Sequence, residues 1–416
     1  MADRSAERSV VPYLFGFVFV GLVLSIGGPS LSHLKGQVGT GDGGIGLVFV
    51  GQSAGYIVGS IAGGRLLDRG YGHKMWSAAI ALTLVALLGA SVADNLAALV
   101  AAFLVVGVAS GSCDVAGNTL VMWSRPNGAT ASLNALHLAF AVGALTSPIV
   151  VNRALFWSDS LWPMLIPIGV LGAACVVRFT GMSAPSARHS AVLRSGTDRV
   201  INTPPTEQPK QAANSRSLVV VALFYLAYVA METGFASWLH EYTLQIGYGT
   251  EDTATALMLT FWSGFVAGRV AAIAVARRLS AGWIVAISMA MCLVASLLFF
   301  VFPNGGPTLW PVTFLFAFSV APQYASMLSY FQQHRSLSGA ATSSFVAASG
   351  LGGLVMPWTV GQLFDWRGPT VFPPTMLVLA IASVIAAVAV RAVVGASATA
   401  SDVQERPGQI VGGVGS

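Results

Sequence analysis

Charged residues are scarce in this sequence. Asp, Glu, Lys and Arg make up only 9% of its 416 residues, while 55% of the residues are apolar. Soluble domains carry roughly 25% charged residues, so a water-exposed surface is excluded for most of this chain. The composition therefore indicates a membrane protein.

Cysteine is also rare. Cys113, Cys175 and Cys292 lie within apolar runs and have no paired spacing, which favours helix packing over disulfides or metal ligation. No metal-spaced His/Cys cluster and no phosphate-binding G-x₄-G-K-[ST] loop occurs in the sequence. The segment "GQSAG" (51–55) matches a nucleophile elbow, but it lies inside an apolar run and not at a strand-to-helix turn. We therefore expect neither an enzyme, a bound metal nor an ATP-driven pump.

Apolar runs of about twenty residues recur along the whole chain, each long enough to cross a hydrocarbon core of roughly 30 Å. They are continuously apolar and not alternating, which favours helices over a β-barrel. The predicted spans are 10–28, 44–63, 75–93, 96–122, 130–151, 161–179, 217–239, 253–276, 281–302, 308–330, 339–362 and 370–394. The sequence thus predicts an all-α membrane protein with twelve transmembrane helices.

The basic residues are distributed unevenly between the loops. With the N-terminus inside, seventeen fall in inner loops, and only Lys35, Arg153 and Arg367 fall in outer loops. Cytoplasmic loops carry the excess of Lys and Arg, so both termini are expected in the cytoplasm of an inner-membrane protein. The pI of about 9.3 is therefore a topology signal, and no nucleic-acid partner is expected.

A polar linker divides the chain into two related halves. We predict an N-terminal six-helix bundle (1–179), a cytoplasmic linker (180–216), a C-terminal six-helix bundle (217–394) and a disordered cytoplasmic tail (395–416). An offset of 209 positions places Gly55 and Gly59 on Gly264 and Gly268, Gly143 on Gly352, and Pro148 on Pro357. Such parallel repeats are typical of transporters that bind their substrate at midplane between the halves.

The short loop between spans two and three carries a recognisable motif, "GGRLLDRGYGHK". Gly64, Asp68, Arg69, Gly72 and Lys74 resemble the G-x-x-x-D-R-x-G-x-[RK] signature of the major facilitator superfamily, with one extra residue after Arg69. The resemblance implies a cytoplasmic gating loop in which Asp68 accepts charge-assisted hydrogen bonds. The alternative is a short inner loop that merely collects basic residues.

A closer resemblance covers most of the chain. The segments "VFVGQSAGYIVGSIAGGRLLDR", "DVAGNTLVMW", "LNALHLAFAVGALTSP" and "LAYVAMETGFASWLHEY" are similar to the sodium-dependent glucose transporter branch of the superfamily, which is itself near the fucose–proton symporters. This resemblance implies uptake of a hexose or related sugar driven by Na⁺ or H⁺. No other cofactor is expected.

One carboxylate lies in the middle of the fourth predicted span. Asp114 precedes Arg125 by eleven residues, about 16 Å from the cytoplasmic boundary. A charge at this depth costs on the order of 2.5–3.5 kcal/mol, so it must face a cavity or a partner, or be protonated. Asp114 and Asn118 also match the acid and Asn of span four in the fucose symporters. Ser25 and Phe140 replace two other residues of that pattern, whereas His137 fits the glucose branch.

Other polar and aromatic residues in the spans are further candidates. We expect Asp114, Glu232 and His137 to handle the coupling ion. The expected substrate contacts are Asn118, Asn134, Gln323, Gln52, Tyr56, Tyr228, Trp262 and Trp358. Gln323 is expected to face Asp114 as its repeat equivalent, and Arg269 to pair with an acid or with carbonyls, with substrate contact as the alternative. The amides could instead serve as interhelical hydrogen bonds worth roughly 0.6 kcal/mol each.

The sequence therefore predicts a secondary active transporter that moves a small polar solute by alternating access between two bundles. We expect a monomer whose partners are this solute and membrane lipid. An exporter of drugs or other amphiphiles, a channel and a membrane-bound lipid enzyme are alternatives, the last without a visible catalytic constellation. The substrate, the coupling ion and the direction of transport stay open at this stage.

Overall fold

The computed structural model describes residues 2–124, 129–182, 215–276, 278–303, 306–335 and 339–404, and these residues are almost entirely helical. The α-helices are α1 (Ala2–Leu24), α2 (Gly27–Val38), α3 (Asp42–Ile45), α4 (Leu47–Asp68), α5 (Gly72–Ser91), α6 (Leu96–Ser124), α7 (Ala129–Ser158), α8 (Leu165–Thr180), α9 (Ser215–Gln245), α10 (Glu251–Val275), α11 (Ala281–Val301), α12 (Leu309–Val320), α13 (Gln323–His334), α14 (Gly339–Arg367) and α15 (Phe372–Gln404). Single 3₁₀ turns occur at Trp162–Met164, Gly306–Thr308 and Pro369–Val371.

These helices form twelve spans within the described residues. Three spans consist of two helices each: α1 with α2, α3 with α4, and α12 with α13. Eleven of the spans are both long and apolar enough to cross a membrane, and the remaining one, α14, has 29 residues. An even number of spans puts both termini on one face of the bundle, which we call the terminal face; the other is the distal face.

The first span is longer than the sequence predicts. It continues past position 28 as α2, which ends at Val38. The break at 25–26 directly precedes Gly27, Gly28 and Pro29. A proline ring clashes with the carbonyl group four residues earlier, so the helix is interrupted here and resumes as α2 at Gly27.

The C-terminal tail also differs from its expected disordered state. Helix α15 continues to Gln404, ten residues into the segment that begins at position 395. This segment contains several alanines, which have high helix propensity, and it extends a helix that is already nucleated. The rest of the tail (405–416) and most of the expected linker (183–214) lie outside the described residues.

Glycines allow spans two and four to pack in direct backbone contact. A Cβ atom on Gly55 or Gly59 of α4 would collide with the carbonyl oxygens of Leu104 and Val108 on α6. Close backbone approach at small residues drives helix association in membranes, where burial of apolar surface contributes little. These glycines therefore fix the position of α6, the helix that carries Asp114.

The second half repeats this packing with a shift of one residue. A Cβ on Gly264 or Gly268 of α10 would meet the carbonyl oxygens of Phe314 and Phe318 on α12. The two glycines lie 209 residues after their first-half counterparts, but Phe314 lies 210 residues after Leu104. The duplication is thus visible in the packing, and the register of span ten is shifted by one residue relative to that of span eight.

The glycine contacts can be tested by adding a single methyl group. We expect Gly59→Ala to lower the melting temperature in detergent, because the new Cβ would overlap the Val108 carbonyl. Gly89→Ala is the matched control, since a Cβ at Gly89 has no heavy atom within 4 Å and alanine favours a helix interior by about 1 kcal/mol. Equal melting temperatures for the two variants would contradict the proposed backbone contact.

Candidate functional site

Asp114 lies inside the bundle and is only partly buried. The Tyr56 hydroxyl of α4 donates a hydrogen bond of 2.6 Å to its Oδ2 atom. The amide of Asn118, one turn further along α6, donates to Asp114 Oδ1 at 3.1 Å. Both donors are neutral, so the carboxylate is hydrogen-bonded but its charge has no hydrogen-bonded cationic partner among the described residues.

The second half contributes Tyr324 opposite Asp114. Each residue lies ten positions before the terminal-face end of its helix, α6 for Asp114 and α13 for Tyr324, and therefore at a similar depth of about 15 Å. Tyr324 interacts electrostatically with Asp114 and also with Glu232. The Tyr225 hydroxyl donates to the Tyr324 carbonyl oxygen at 3.0 Å, which holds the start of α13 in place.

The expectation that Gln323 faces Asp114 is therefore wrong. Gln323 is fully buried, its amide nitrogen donates to the Ser319 carbonyl at 3.1 Å, and it lies against Cys292 of α11. The one-residue register shift of span ten moves the repeat equivalent of Asp114 from position 323 to position 324. Tyr324 was missed because an offset of 209, correct for spans two and five, does not hold for span four.

Glu232, Tyr228 and Arg269 lie close together in the second half. The Glu232 carboxylate lies one turn beyond Tyr228 on α9, within electrostatic range of the Tyr228 hydroxyl and the Arg269 guanidinium. Arg269 on α10 also interacts electrostatically with His137 of the first half, and its Cζ atom lies 4.8 Å from the centre of the Phe265 ring. A group of polar side chains from both halves thus meets at mid-depth.

We call this group the central polar layer. Its members are Tyr56, Asp114, Asn118 and His137 from the first half, and Tyr228, Glu232, Arg269 and Tyr324 from the second half. Most of these side chains keep partial exposure although they lie deep in the bundle. Partial exposure at this depth is typical of a solvent-reachable cavity between the halves.

The expected pairing of Arg269 with an acid is only partly found. Its charge is close to Glu232, but among the described residues no carboxylate oxygen lies within 4.0 Å of the guanidinium. Its Nε atom is buried and has no hydrogen-bond partner in the described part of the chain. A buried N–H donor without a hydrogen-bond partner is costly. The Nε atom of Arg269 therefore requires a partner that the described residues do not supply.

The remaining predicted contact residues lie in different places. Gln52 is buried, and its amide donates to the Leu24 carbonyl at the break in span one, so it supports that break. Trp262 is 7% exposed and packs edge-on against the Phe265 ring. Trp358 is 38% exposed, and its Cα lies 3.1 Å from the position of a Cβ on Gly46, so its backbone packs near the distal face and its ring is not enclosed. The side chain of Asn134 lies outside the described residues.

The predicted gating loop forms the tight connection between α4 and α5. Gly70, the extra residue, has a φ of +87°, a left-handed conformation that glycine adopts without strain. Gly64 and Gly72 lie on the flanking helices, and a Cβ on Gly72 would lie 3.0 Å from the Leu67 side chain. Asp68, Arg69 and Lys74 are exposed. Arg125, the nearest basic residue of the next inner loop, lies outside the described residues, so the expected partner of Asp68 stays a prediction.

A second polar cluster closes the distal face. Lys35 of α2 forms an ion pair of 2.8 Å with Asp42 of α3 and a shorter one with Glu241 of α9. Ser32 donates to Glu241 at 2.7 Å, and the Gln245 amide donates to both Asp42 and Glu241 at 2.8 Å. Because α2 and α3 belong to the first half and α9 to the second, these bonds hold the halves together.

Asp365 of α14 adds a further contact between the halves. Its two carboxylate oxygens accept hydrogen bonds from the backbone N–H groups of Asp42 and Gly43, at 2.8 and 2.7 Å. These N–H groups begin helix α3, and a helix N-terminus favours an anion. We call the set of Ser32, Lys35, Asp42, Glu241, Gln245 and Asp365 the distal latch.

The distal latch was missed in the sequence because its members are far apart along the chain. Lys35 was assigned only to an outer loop, and "GQLFDWRG" (361–368), which contains Asp365, was not linked to it. The available signal was the presence of Glu241 just beyond the predicted end of span seven, in "WLHEYTLQ". A carboxylate there needs a partner, but the sequence does not say which one.

The family model of the major facilitator superfamily matches residues 13–357 of this chain. The chain belongs to the major facilitator superfamily. It is therefore a multi-pass membrane transporter and not an enzyme, and the predicted twelve-helix fold is confirmed.

Individual relatives are consistent with this assignment. The sodium-dependent glucose transporter 1 of Xenopus laevis is 27% identical over 382 residues, covering 87% of this chain and 76% of the relative. The glucose/mannose transporter GlcP of Bacillus subtilis (strain 168) is 24% identical over 363 residues, covering 84% and 87%. The predicted resemblance to the sodium-dependent glucose transporter branch is thus confirmed.

Solved structures show the same fold at lower identity. The E. coli fucose:proton symporter FucP superposes with a TM-score of 0.64 at 15% identity, covering 93% of this chain and 98% of that chain. The partially occluded inward-open xylose transporter XylE from E. coli superposes with a TM-score of 0.71 at 10% identity, covering 91% and 97%.

The distal latch makes a testable contribution to closure. Glu241 is nearly buried, so we expect Glu241→Gln to leave Lys35 poorly paired and to favour opening of the distal face by roughly tenfold. Spin labels at Ala97 and Pro307, exposed near the distal face in opposite halves, would report longer distances by pulsed electron paramagnetic resonance. Asp94→Asn is the control, because Asp94 is exposed and bonds only its neighbour Asn95. A distance distribution unchanged by Glu241→Gln would show that the latch does not hold the halves closed.

Proposed function

We propose that this transporter moves a hexose or related sugar together with H⁺ or Na⁺ by alternating access. The observation that carries this proposal is the central polar layer, in which a partly exposed carboxylate, Asp114, faces side chains of the other half. A sugar offers hydroxyl groups that donate to carboxylates and accept from tyrosine and guanidinium groups. The relatives are named as glucose and glucose/mannose transporters, which supports the same substrate class.

Asp114 is the best candidate for the coupling site. Its hydrogen-bond donors, Tyr56 and Asn118, are neutral, whereas Glu232 has the Arg269 guanidinium nearby. An uncompensated charge in a membrane interior costs several kcal/mol. Binding of H⁺ or Na⁺ at Asp114 would remove that cost and allow the loaded carrier to reorient.

The distal latch supports a specific state and orientation. The excess of basic residues in the loops of the terminal face supports a cytoplasmic location for that face, which would make the latch an extracytoplasmic closure. In this arrangement the structure corresponds to the state whose outer path is shut. Exchange with the outer state requires the bonds of Lys35 with Glu241, and of Asp365 with the start of α3, to break.

The decisive experiment measures sugar uptake into proteoliposomes with an imposed Na⁺ or H⁺ gradient. We expect the wild type to accumulate glucose above its external concentration under one of the two gradients. In Asp114→Asn we expect accumulation to be lost while counterflow exchange at equal concentrations persists, because the amide has nearly the same shape and keeps one acceptor oxygen but removes the charge. Asp94→Asn, a charge change at an exposed distal-face position, serves as the matched control and should accumulate like the wild type.

Two results would contradict the proposal in different ways. Gradient-driven accumulation that survives Asp114→Asn unchanged would remove Asp114 from the coupling role. Absence of binding and uptake for glucose, mannose, fucose and xylose in the wild type would remove the sugar assignment. Efflux of amphiphilic compounds in its place would support an exporter.

A further inference from the structure

Two buried N–H donors on α10 have no partner among the described residues. They are Nε1 of Trp262 and Nε of Arg269. The two residues are seven positions apart, which places them on the same helix face about 10 Å apart along the axis. The Phe265 ring lies between them, 5.6 Å from the Trp262 ring centre and 4.8 Å from Arg269 Cζ. We call these three residues the span-eight stripe.

The stripe faces the central polar layer. Arg269 interacts electrostatically with Glu232 and Tyr228 of α9, with Tyr324 of α13, and with His137 of the opposite half. The glycines of α10 that pack against span ten, Gly264 and Gly268, lie on a different side of the helix from Trp262, which is 93% buried. Thr255, seven residues before Trp262 and therefore on the same face of α10, accepts a hydrogen bond of 3.3 Å from Asn152 of α7, so this face of α10 is turned towards the first half.

Unpaired buried donors are unfavourable. Leaving one unsatisfied costs about 1–3 kcal/mol, and more when the group is charged. Two such donors on one face, beside groups that already form the polar layer, indicate that a molecule absent from the described residues supplies the acceptors. Its atoms must be oxygen-rich over the length of the stripe.

We propose that the span-eight stripe binds the transported solute, with Arg269 and Trp262 each donating a hydrogen bond to one of its hydroxyl oxygens. This inference rests on the proposed function and specifies its substrate as a neutral polyhydroxylated solute. With Asp114 neutralised by the coupling ion, the Glu232 carboxylate and the Arg269 guanidinium balance each other, so an acidic sugar would bring an uncompensated negative charge into the layer. Arg269 is thus a specificity-determining residue.

The test combines side-chain removal with hydroxyl removal. The purified full-length protein, as wild type, Arg269→Gln and Trp262→Phe, is titrated with glucose and its singly deoxygenated analogues by calorimetry. We expect the wild type to bind one analogue roughly tenfold to hundredfold more weakly than glucose. We expect Arg269→Gln to bind glucose about as weakly as the wild type binds that analogue. The variant should bind glucose and the analogue with equal affinity, because removing either the guanidinium or the hydroxyl group abolishes the same hydrogen bond. Trp262→Phe keeps an aromatic ring, although a smaller one, loses the N–H donor, and should behave likewise with a different analogue.

Controls separate binding from folding. Arg278→Gln, at an exposed position just after α10, should bind like the wild type, and the melting temperature of each variant reports its stability. Glucuronate should bind the wild type more weakly than glucose.

The possible results lead to distinct conclusions. If Arg269→Gln and Trp262→Phe bind glucose and every analogue like the wild type, or weaken all of them equally, the stripe does not contact the solute, and the donors are satisfied by water. Tighter binding of glucuronate than of glucose would overturn the neutral-solute assignment. If the wild type binds none of these sugars, the proposed function fails and this inference falls with it.

Discussion

A carboxylate in the middle of a membrane is stable only in a polar enclosure, and much of this structure surrounds Asp114 with one. The cost of a bare charge at that depth is several kcal/mol. Tyr56 and Asn118 supply neutral hydrogen bonds from the same half, and Tyr324 faces the group from the other half. Groups from both halves therefore surround the carboxylate.

Backbone packing determines where these side chains point. Glycines bring α4 against α6 and α10 against α12 until no Cβ would fit between them, so a shift of one residue along either helix would create a collision. The register of each helix pair is therefore rigid. This rigidity explains how a one-residue register shift of span ten places the phenol of Tyr324, and not the amide of Gln323, at the position facing Asp114.

The two polar clusters suit different roles in the proposed alternating-access cycle. The distal latch consists of ion pairs and a capped helix start, which are strong only while the halves stay aligned. The central polar layer and the adjoining span-eight stripe instead contain two buried donors, on Arg269 and Trp262, that have no partner among the described residues. The distal latch favours a closed distal face when no solute is bound, and the central groups stay available for a solute. Binding of that solute can shift the population between the closed and the open distal face.

The sequence by itself determined the features that depend on local periodicity and composition. These are the spans, the duplication, the family signature, and the pairing of Asp114 with Asn118, which follows from one helical turn. Only the tertiary structure decided the remainder. The α1–α2 break, the position of Tyr324, the partners of Lys35 and the missing partner of Arg269 all depend on contacts between distant segments. A fixed sequence offset cannot detect a one-residue register shift, and a charge near a helix end does not name its partner. Those outcomes are set by three-dimensional packing. A shift of one residue along a helix rotates the side chain at a given level by about 100° around the helix axis.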